Sequence, residues 1–226
     1  MTKPKIKAVL FDAYGTLLDV YSVSLAAENF FPGQGARFAE IWRDRQIDYT
    51  RLRTLSNQYK NFWDITIDAL DFTAEKLGLP MSPDQRVALL SAYETLTPFE
   101  ENIPALKRLR TLGLPLGILT NGNHAMINGH VTNAGMDGLF DHILSVETVR
   151  KFKTAPEAYQ LGPDAFGLSA PEILFVSSNH WDACAATWFG YQTFWVNRAN
   201  APAERLGVAA TVSGKSLDDV VRFLQM

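Results

Sequence analysis

Asp12 is the residue best placed to do chemistry. It follows the apolar run Ala8-Val-Leu-Phe11 and precedes Gly15 and Thr16, so a short buried strand hands one carboxylate onto a turn. Open parallel α/β sheets bind ligands in the crevice outside the carboxyl ends of their strands, and a carboxylate is a competent covalent nucleophile. Gly15 permits a tight turn, and Thr16 can set a hydroxyl beside the acid. An isolated D-x-x-G-T is better explained as a solvated turn, but three further polar clusters accompany this one. Thr120 and Asn121 follow the run Leu116–Leu119 and project toward the same crevice. Lys153 stands ahead of a helix opened by Pro156, a favoured first-turn residue. An ammonium there would keep a neighbouring carboxylate ionised and neutralise a developing anion; Lys151 competes for that role. The segment Ser177-Ser178-Asn179-His180-Trp181-Asp182 follows Ile173–Val176 and brings a second carboxylate.

The elements that must position these groups read clearly. Ala8–Phe11, Leu116–Leu119, Ile173–Val176 and Thr193–Val196 are apolar runs of buried-strand length, with a weaker fifth at Ile143–Val146. Between them Ile103–Leu112, Pro156–Phe166 and Asp182–Phe189 are helical patterns, each followed by a glycine. Near the C-terminus, Leu217, Val220, Val221 and Leu224 share a helical face that Ser216 can cap. This alternation predicts an α/β protein with a doubly wound, Rossmann-like parallel sheet. Residues 19–96 break it: Phe62, Ile65, Ala69 and Phe72 form one helical stripe, and Trp42, Tyr49 and Leu52 contribute to another. The expected organisation is a core over 1–18 and 97–226, with an inserted helical cap of about four helices over 19–96 and a return hinge at Thr97-Pro98.

The 226 residues, 47% of them hydrophobic, suffice for such a core plus an insertion. A net charge of −3 gives no general attraction to nucleic acid or anionic membrane, so an anionic ligand must be drawn by local cations. The lone Cys184 excludes an intramolecular disulfide and fits a reducing compartment. No apolar run is long enough to span a bilayer, and Met1-Thr-Lys-Pro-Lys-Ile-Lys7 leads toward a strand rather than a signal-peptide core. A cytoplasmic location is therefore expected. The four histidines lack zinc-site spacing, and no glycine-rich phosphate loop follows a strand, so neither a metal nor an organic cofactor is expected.

The four clusters, in order and over nearly the whole chain, resemble the motifs of the haloacid dehalogenase superfamily, whose members use the first-motif Asp to attack phosphorus or carbon. The family's phosphatases usually carry a second Asp two residues after the nucleophile; here it is Tyr14, and a phenol is a poor acid near neutrality. The Ala13-Tyr14 pair resembles instead the L-2-haloacid dehalogenase branch, which displaces halide from carbon. In the last motif Ser178 stands where phosphatases have a magnesium-binding acid, leaving Asp12 and Asp182 as a sparse ligand set. The spacing from Lys153 to Pro156 and Tyr159 matches the third motif, with Thr154 departing from the family's usual proline.

What the resemblance implies is a hydrolase that converts short (S)-2-haloalkanoic acids to (R)-2-hydroxyalkanoic acids without metal or cofactor. Asp12 would form a covalent ester. Thr120 would bind the substrate carboxylate and Asn121 the departing halide. Ser177, Asn179 and Asp182 would orient Lys153 and handle the hydrolytic water, and Thr16 and Tyr159 would complete the catalytic set. The cap arginine of Trp42-Arg43-x-x-Gln46 would reach the halogen, with Arg45 as the alternative register. Phe62 would cradle the halide, and Ala13, Tyr14 and Trp181 would wall the substrate. A homodimer is also implied. The rivals are a magnesium-dependent phosphatase with altered motifs and a silent small-acid binding module.

Overall fold

The computed structural model describes residues 5–226; the run Met1–Pro4, expected to lead toward the first strand, lies outside them. The apolar runs pair into one six-stranded parallel sheet. Its strands are β1 (Ala8–Phe11), β2 (Leu116–Thr120), β3 (His142–Ser145), β4 (Ile173–Ser177), β5 (Gln192–Val196) and β6 (Val212–Gly214), in spatial order β3-β2-β1-β4-β5-β6. β1, β2, β4 and β5 are buried along their whole length, which is why they read as unbroken apolar runs and not as alternating ones. The chain winds outward from β1 to β3 and then crosses back to β4, so the strand order reverses between β1 and β4. A crevice opens at such a reversal.

Two elements lacked a sequence signal. The edge strand β6 has only three residues and is not fully buried. Helix His124–Asn133, between β2 and β3, mixes polar residues with Gly129 and buries only three side chains, so its periodicity is faint. The fifth strand lies one residue earlier than its apolar run suggested.

Between β1 and the rest of the sheet run four helices: α1 (Val23–Phe30), α2 (Gly35–Leu55), α3 (Phe62–Leu77) and α4 (Pro83–Glu94). α3 starts where the Asn61 side chain accepts from the Asp64 N–H, and ends at Gly78 in the left-handed conformation. Its stripe Phe62, Ile65 and Ala69 is buried. On α2, Trp42 is buried and its Nε1 donates to the Thr66 carbonyl at 2.9 Å, which locks α2 on α3. Leu52, expected on the same stripe, is instead 57% exposed. Ten residues past Trp42 the helix has turned to roughly 80° from that face, enough to carry a side chain into solvent. The insertion leaves and returns at one point, where Leu18 bridges Pro98 and the Asp19 N–H donates to the Thr97 carbonyl at 2.8 Å.

The sheet helices are α5 (Asn102–Thr111), α6 (His124–Asn133), α7 (Pro156–Phe166), α8 (His180–Phe189) and α9 (Leu217–Leu224). α7 carries Pro163 in its interior, and a proline there deprives the carbonyl four residues earlier of its helical donor. That carbonyl belongs to Tyr159, and the Tyr191 hydroxyl donates to it at 2.5 Å. Gly162 makes room, since a Cβ there would stand 2.3 Å from the same hydroxyl. Tyr191→Phe should therefore leave a buried acceptor unpaired and lower unfolding free energy by about 1–3 kcal/mol. Urea denaturation of both proteins checks this, and an unchanged midpoint would contradict it.

Candidate active site

Asp12 continues β1 by one residue, its N–H donating to the Val176 carbonyl of the neighbouring β4 at 2.9 Å. Gly15 then turns the chain with φ of +90°, a conformation glycine adopts without the Cβ penalty. The turn folds Thr16 back, and its hydroxyl donates to Asp12 Oδ2 at 2.9 Å. Asn179 Nδ2 donates to the same oxygen at 2.8 Å and to the Tyr14 carbonyl at 3.0 Å. Ser177, the last residue of β4, adds a longer contact to Oδ2 at 3.4 Å. Among the described residues Asp12 Oδ1 has a single donor, the Lys153 ammonium at 3.0 Å.

Lys153 Nζ also lies 2.9 Å from Asp182 Oδ2, so one buried ammonium joins two buried carboxylates, and it sits 4.9 Å above the Phe175 ring. Asp182 takes the first turn of α8, where the helix dipole favours negative charge. The Tyr159 hydroxyl donates to its Oδ1 at 2.6 Å and Ser177 Oγ to its Oδ2 at 3.1 Å. Burial opposes a charged Lys153, yet Asp12 and Asp182 outweigh it and hold the ammonium above the ordinary lysine range. Burial pushes the Asp182 carboxyl up, against the pull of Lys153. A carboxylate raised in this way is a better proton acceptor near neutrality.

The competing lysine is placed elsewhere: Lys151 is half-buried and pairs with Asn57. The main chain of Lys153 is fixed by Asn121, whose Oδ1 accepts from its N–H at 2.9 Å; this turns the Asn121 Nδ2 group away from Lys153. Thr120 is fully buried and its Oγ1 accepts from the Gly122 N–H at 3.0 Å, leaving the hydroxyl proton to donate. Of the three groups expected to orient Lys153, only Asp182 touches it. Asn179 binds Asp12 instead, because the turn at Gly15 brings Asp12 Oδ2 over the start of α8, and Ser177 donates to Asp182 with a longer approach to Asp12.

From the helical insertion, Arg43 Nη2 donates to the Tyr14 carbonyl at 3.1 Å. Arg45, two positions and about 200° further round α2, faces away, 4.3 Å above the Phe72 ring. Tyr14 is buried in an aromatic cluster, with ring centroids 5.4 Å from Phe62 and 6.1 Å from Tyr93. His130 Nε2 lies 2.8 Å from the Tyr93 carbonyl and so carries the proton, which leaves Nδ1 to accept from the Tyr14 hydroxyl at 3.2 Å. Gly122 is required here, because a Cβ would stand 2.7 Å from the Tyr14 ring. Ala13 is buried beneath the turn, its carbonyl accepting from the N–H of Leu17 at 2.8 Å, so its side chain belongs to the core and not to an open wall. Trp181 lies at the mouth, half-buried, 4.9 Å beneath the Arg51 guanidinium. It shares a cavity of about 350 Å³ with Arg43 and Asn179.

Several groups around the centre escaped sequence reasoning. Ser178 Oγ accepts from Arg198 Nη1 at 2.7 Å, and Asn102 Nδ2 donates to the carbonyls of Thr16 and Leu17 at 3.1 and 2.9 Å. Arg198 follows the carboxyl end of β5, so its place at the same sheet edge as the four motifs was the available signal. Among the described residues no group of three His, Cys, Asp or Glu side chains could hold a metal ion, and no helix is long and apolar enough to cross a membrane. Cys184 is buried.

A carboxylate, ammonium and carboxylate at the switch point of a doubly wound parallel sheet define an α/β enzyme with an acid poised beside a base. The chain belongs to the haloacid dehalogenase-like hydrolases, whose family model matches residues 6–190. It is 42% identical to an (S)-2-haloacid dehalogenase of Pseudomonas putida, over 97% of this chain and 96% of that one. Among solved structures, an L-2-haloacid dehalogenase superposes with a TM-score of 0.97 at 53% identity, covering 99% of this chain and 100% of the other. The L-2-haloacid dehalogenase of Xanthobacter autotrophicus with chloropropionic acid covalently bound gives a TM-score of 0.90 at 34% identity, covering 97% and 98%.

The buried groups fix how stability responds to alkali. Burial raises the hydroxyls of Tyr14 and Tyr159 well above their ordinary value of 10.0, and the carboxylates raise Lys153. Groups raised on folding stabilise fully below their unfolded values and lose that contribution as pH climbs through the folded ones. Through these groups unfolding free energy should hold steady from about pH 8 to about 10 and fall above it. Urea titrations across that range check this, with a flat profile as the contrary result.

Proposed function

We propose that the protein hydrolyses short (S)-2-haloalkanoic acids to (R)-2-hydroxyalkanoic acids and halide, through an ester on Asp12 with inversion at C2. The observation that carries this reading is the asymmetry of the Asp12 carboxylate. Oδ2 accepts from Thr16 and Asn179, whereas among the described residues Oδ1 accepts from Lys153 alone and keeps a lone pair for attack. Oδ1 attacks C2 from behind, the carbon–halogen bond breaks, and the halide leaves with both bonding electrons. Arg43 and the Asn121 amide supply donors where that negative charge develops, and the Thr120 hydroxyl takes the substrate carboxylate. Water then adds to Asp12 Cγ, giving one proton to Asp182; the carbonyl re-forms and expels the product alkoxide, which takes that proton back from Asp182, and the second water proton leaves the new Asp12 carboxyl for solvent. Lys153 faces negative charge throughout both steps.

In this reading residues 1–18 and 97–226 are the core that carries the chemistry. Residues 19–96 are a cap that brings Arg43 and Phe62 to it, and the protein is a cytoplasmic homodimer acting without metal or cofactor. The names of the relatives support the substrate class, and the covalent chloropropionic acid complex supports the ester. A magnesium-dependent phosphatase is less well served. The Tyr14 hydroxyl is committed to His130 and raised by burial, and Ser178 is held by a guanidinium in place of a carboxylate.

Halide release from (S)- and (R)-2-chloropropionate with chelator present tests the reading. Expected are turnover of the (S) form and (R)-2-hydroxypropionate as product; magnesium-dependent phosphate-ester turnover exceeding it would contradict the assignment. The Arg43 role is checked by exchange for lysine, which keeps the charge and loses the planar fork. Arg43→Lys should lower kcat/KM at least tenfold, about 1.4 kcal/mol, and Arg45→Lys should be nearly silent; the reverse pattern would assign the cap arginine to Arg45.

A further inference from the structure

Arg198 lies just past β5, and its guanidinium joins segments far apart in the chain. Nε donates to Glu101 Oε1 at 2.9 Å, Nη1 to Ser178 Oγ at 2.7 Å, and Nη2 to the Thr16 carbonyl and Asn102 Oδ1, each at 3.1 Å. The guanidinium carbon lies over the Phe99 ring, 3.9 Å from its centroid. These partners bracket the place where the insertion departs and returns: Thr16 precedes the crossing at Leu18 and Pro98, and Phe99, Glu101 and Asn102 follow it. The partners also reach the acid. Ser178 N–H donates to Thr16 Oγ1 at 2.8 Å, and that hydroxyl donates to Asp12 Oδ2 at 2.9 Å.

A half-exposed ion pair with Glu101 alone would contribute little. Arg198 does more than pair, because its planar fork serves four acceptors on three segments, a geometry a lysine ammonium cannot reproduce. We infer that Arg198 is a positioning residue: by clamping the Thr16 and Ser178 turns to the chain returning from the helical insertion, it holds Asp12 with Oδ2 occupied and Oδ1 presented for attack. It touches neither Asp12 nor the reacting atoms. The inference rests on Asp12 being the nucleophile, and it assigns to Arg198 a part in kcat and none in substrate affinity.

The test compares Arg198→Met and Arg198→Lys with the wild type in the full chain, using (S)-2-chloropropionate. Measured are thermal unfolding, kcat and KM, and the rate of first-turnover halide release per folded molecule. Arg198→Met should slow first-turnover release at least tenfold with KM changed less than about threefold, and Arg198→Lys should recover part of the loss. A folded Arg198→Met with wild-type kcat overturns the inference, as does a raised KM at unchanged kcat, which would make Arg198 a substrate ligand. If Arg198→Met does not fold, Ser178→Ala removes only the Nη1 bond. That variant should lower kcat about threefold at nearly unchanged stability, and an unchanged kcat overturns the inference. Wild-type protein that releases no halide from any 2-haloacid sinks the nucleophile reading and this inference together, whereas an active wild type with an unaffected Arg198→Met sinks this inference alone.

Discussion

One buried ammonium holds the centre together. Lys153 lies within 3.0 Å of both Asp12 and Asp182, and all three are buried. Two carboxylates brought this close without a cation could not both stay ionised, and removing one partner from such a buried group costs about 3–5 kcal/mol. The fold supplies the three groups from three separate places: the end of β1, the loop ahead of α7 and the first turn of α8. The parallel order that sets β1 beside β4 is therefore a condition for the charge arrangement as much as a product of core packing.

The hydrogen bonds around this group divide the labour between the carboxylates. Asp12 is gripped at one oxygen, which fixes its plane and leaves the other facing Lys153. Asp182 is gripped at both, by Lys153 and Ser177 on one side and Tyr159 on the other, and burial makes it more basic than an ordinary aspartate. Tyr159 is itself held from behind, because Pro163 frees its carbonyl for Tyr191. A buried, hydrogen-bonded surround of this kind suits a reaction in which negative charge moves from a carboxylate oxygen to a departing halide.

Much of this was legible in the sequence because the chemistry-bearing residues follow strands whose apolar runs are unbroken. Ala8–Phe11 and Pro156–Phe166 appear with the boundaries the pattern gave, since each is bounded by residues with strong local preferences, Gly15 and Gly167 among them. Spacing to Pro156 and Tyr159 favours Lys153 over Lys151, whereas the resemblance alone favours Arg43 over Arg45, because the two arginines differ only in which way a helix face turns. Packing decides both, through Asn121 at the first and Trp42 at the second. Partners of Asp12 were assigned to Lys153 because contact between Asn179 and the first turn depends on how Gly15 folds the chain back. His130, Asn102 and Arg198 carried no motif, since their roles exist only when segments remote in sequence meet.

The central claim is that Asp12, and not water, makes the first bond to substrate carbon. A single turnover of excess enzyme with (S)-2-chloropropionate in heavy-oxygen water, followed by mass spectrometry of the Asp12 peptide and the product, tests it most directly. The account predicts solvent oxygen in the Asp12 side chain and none in the hydroxyl of the first product formed. Labelled product with an unlabelled Asp12 would contradict it.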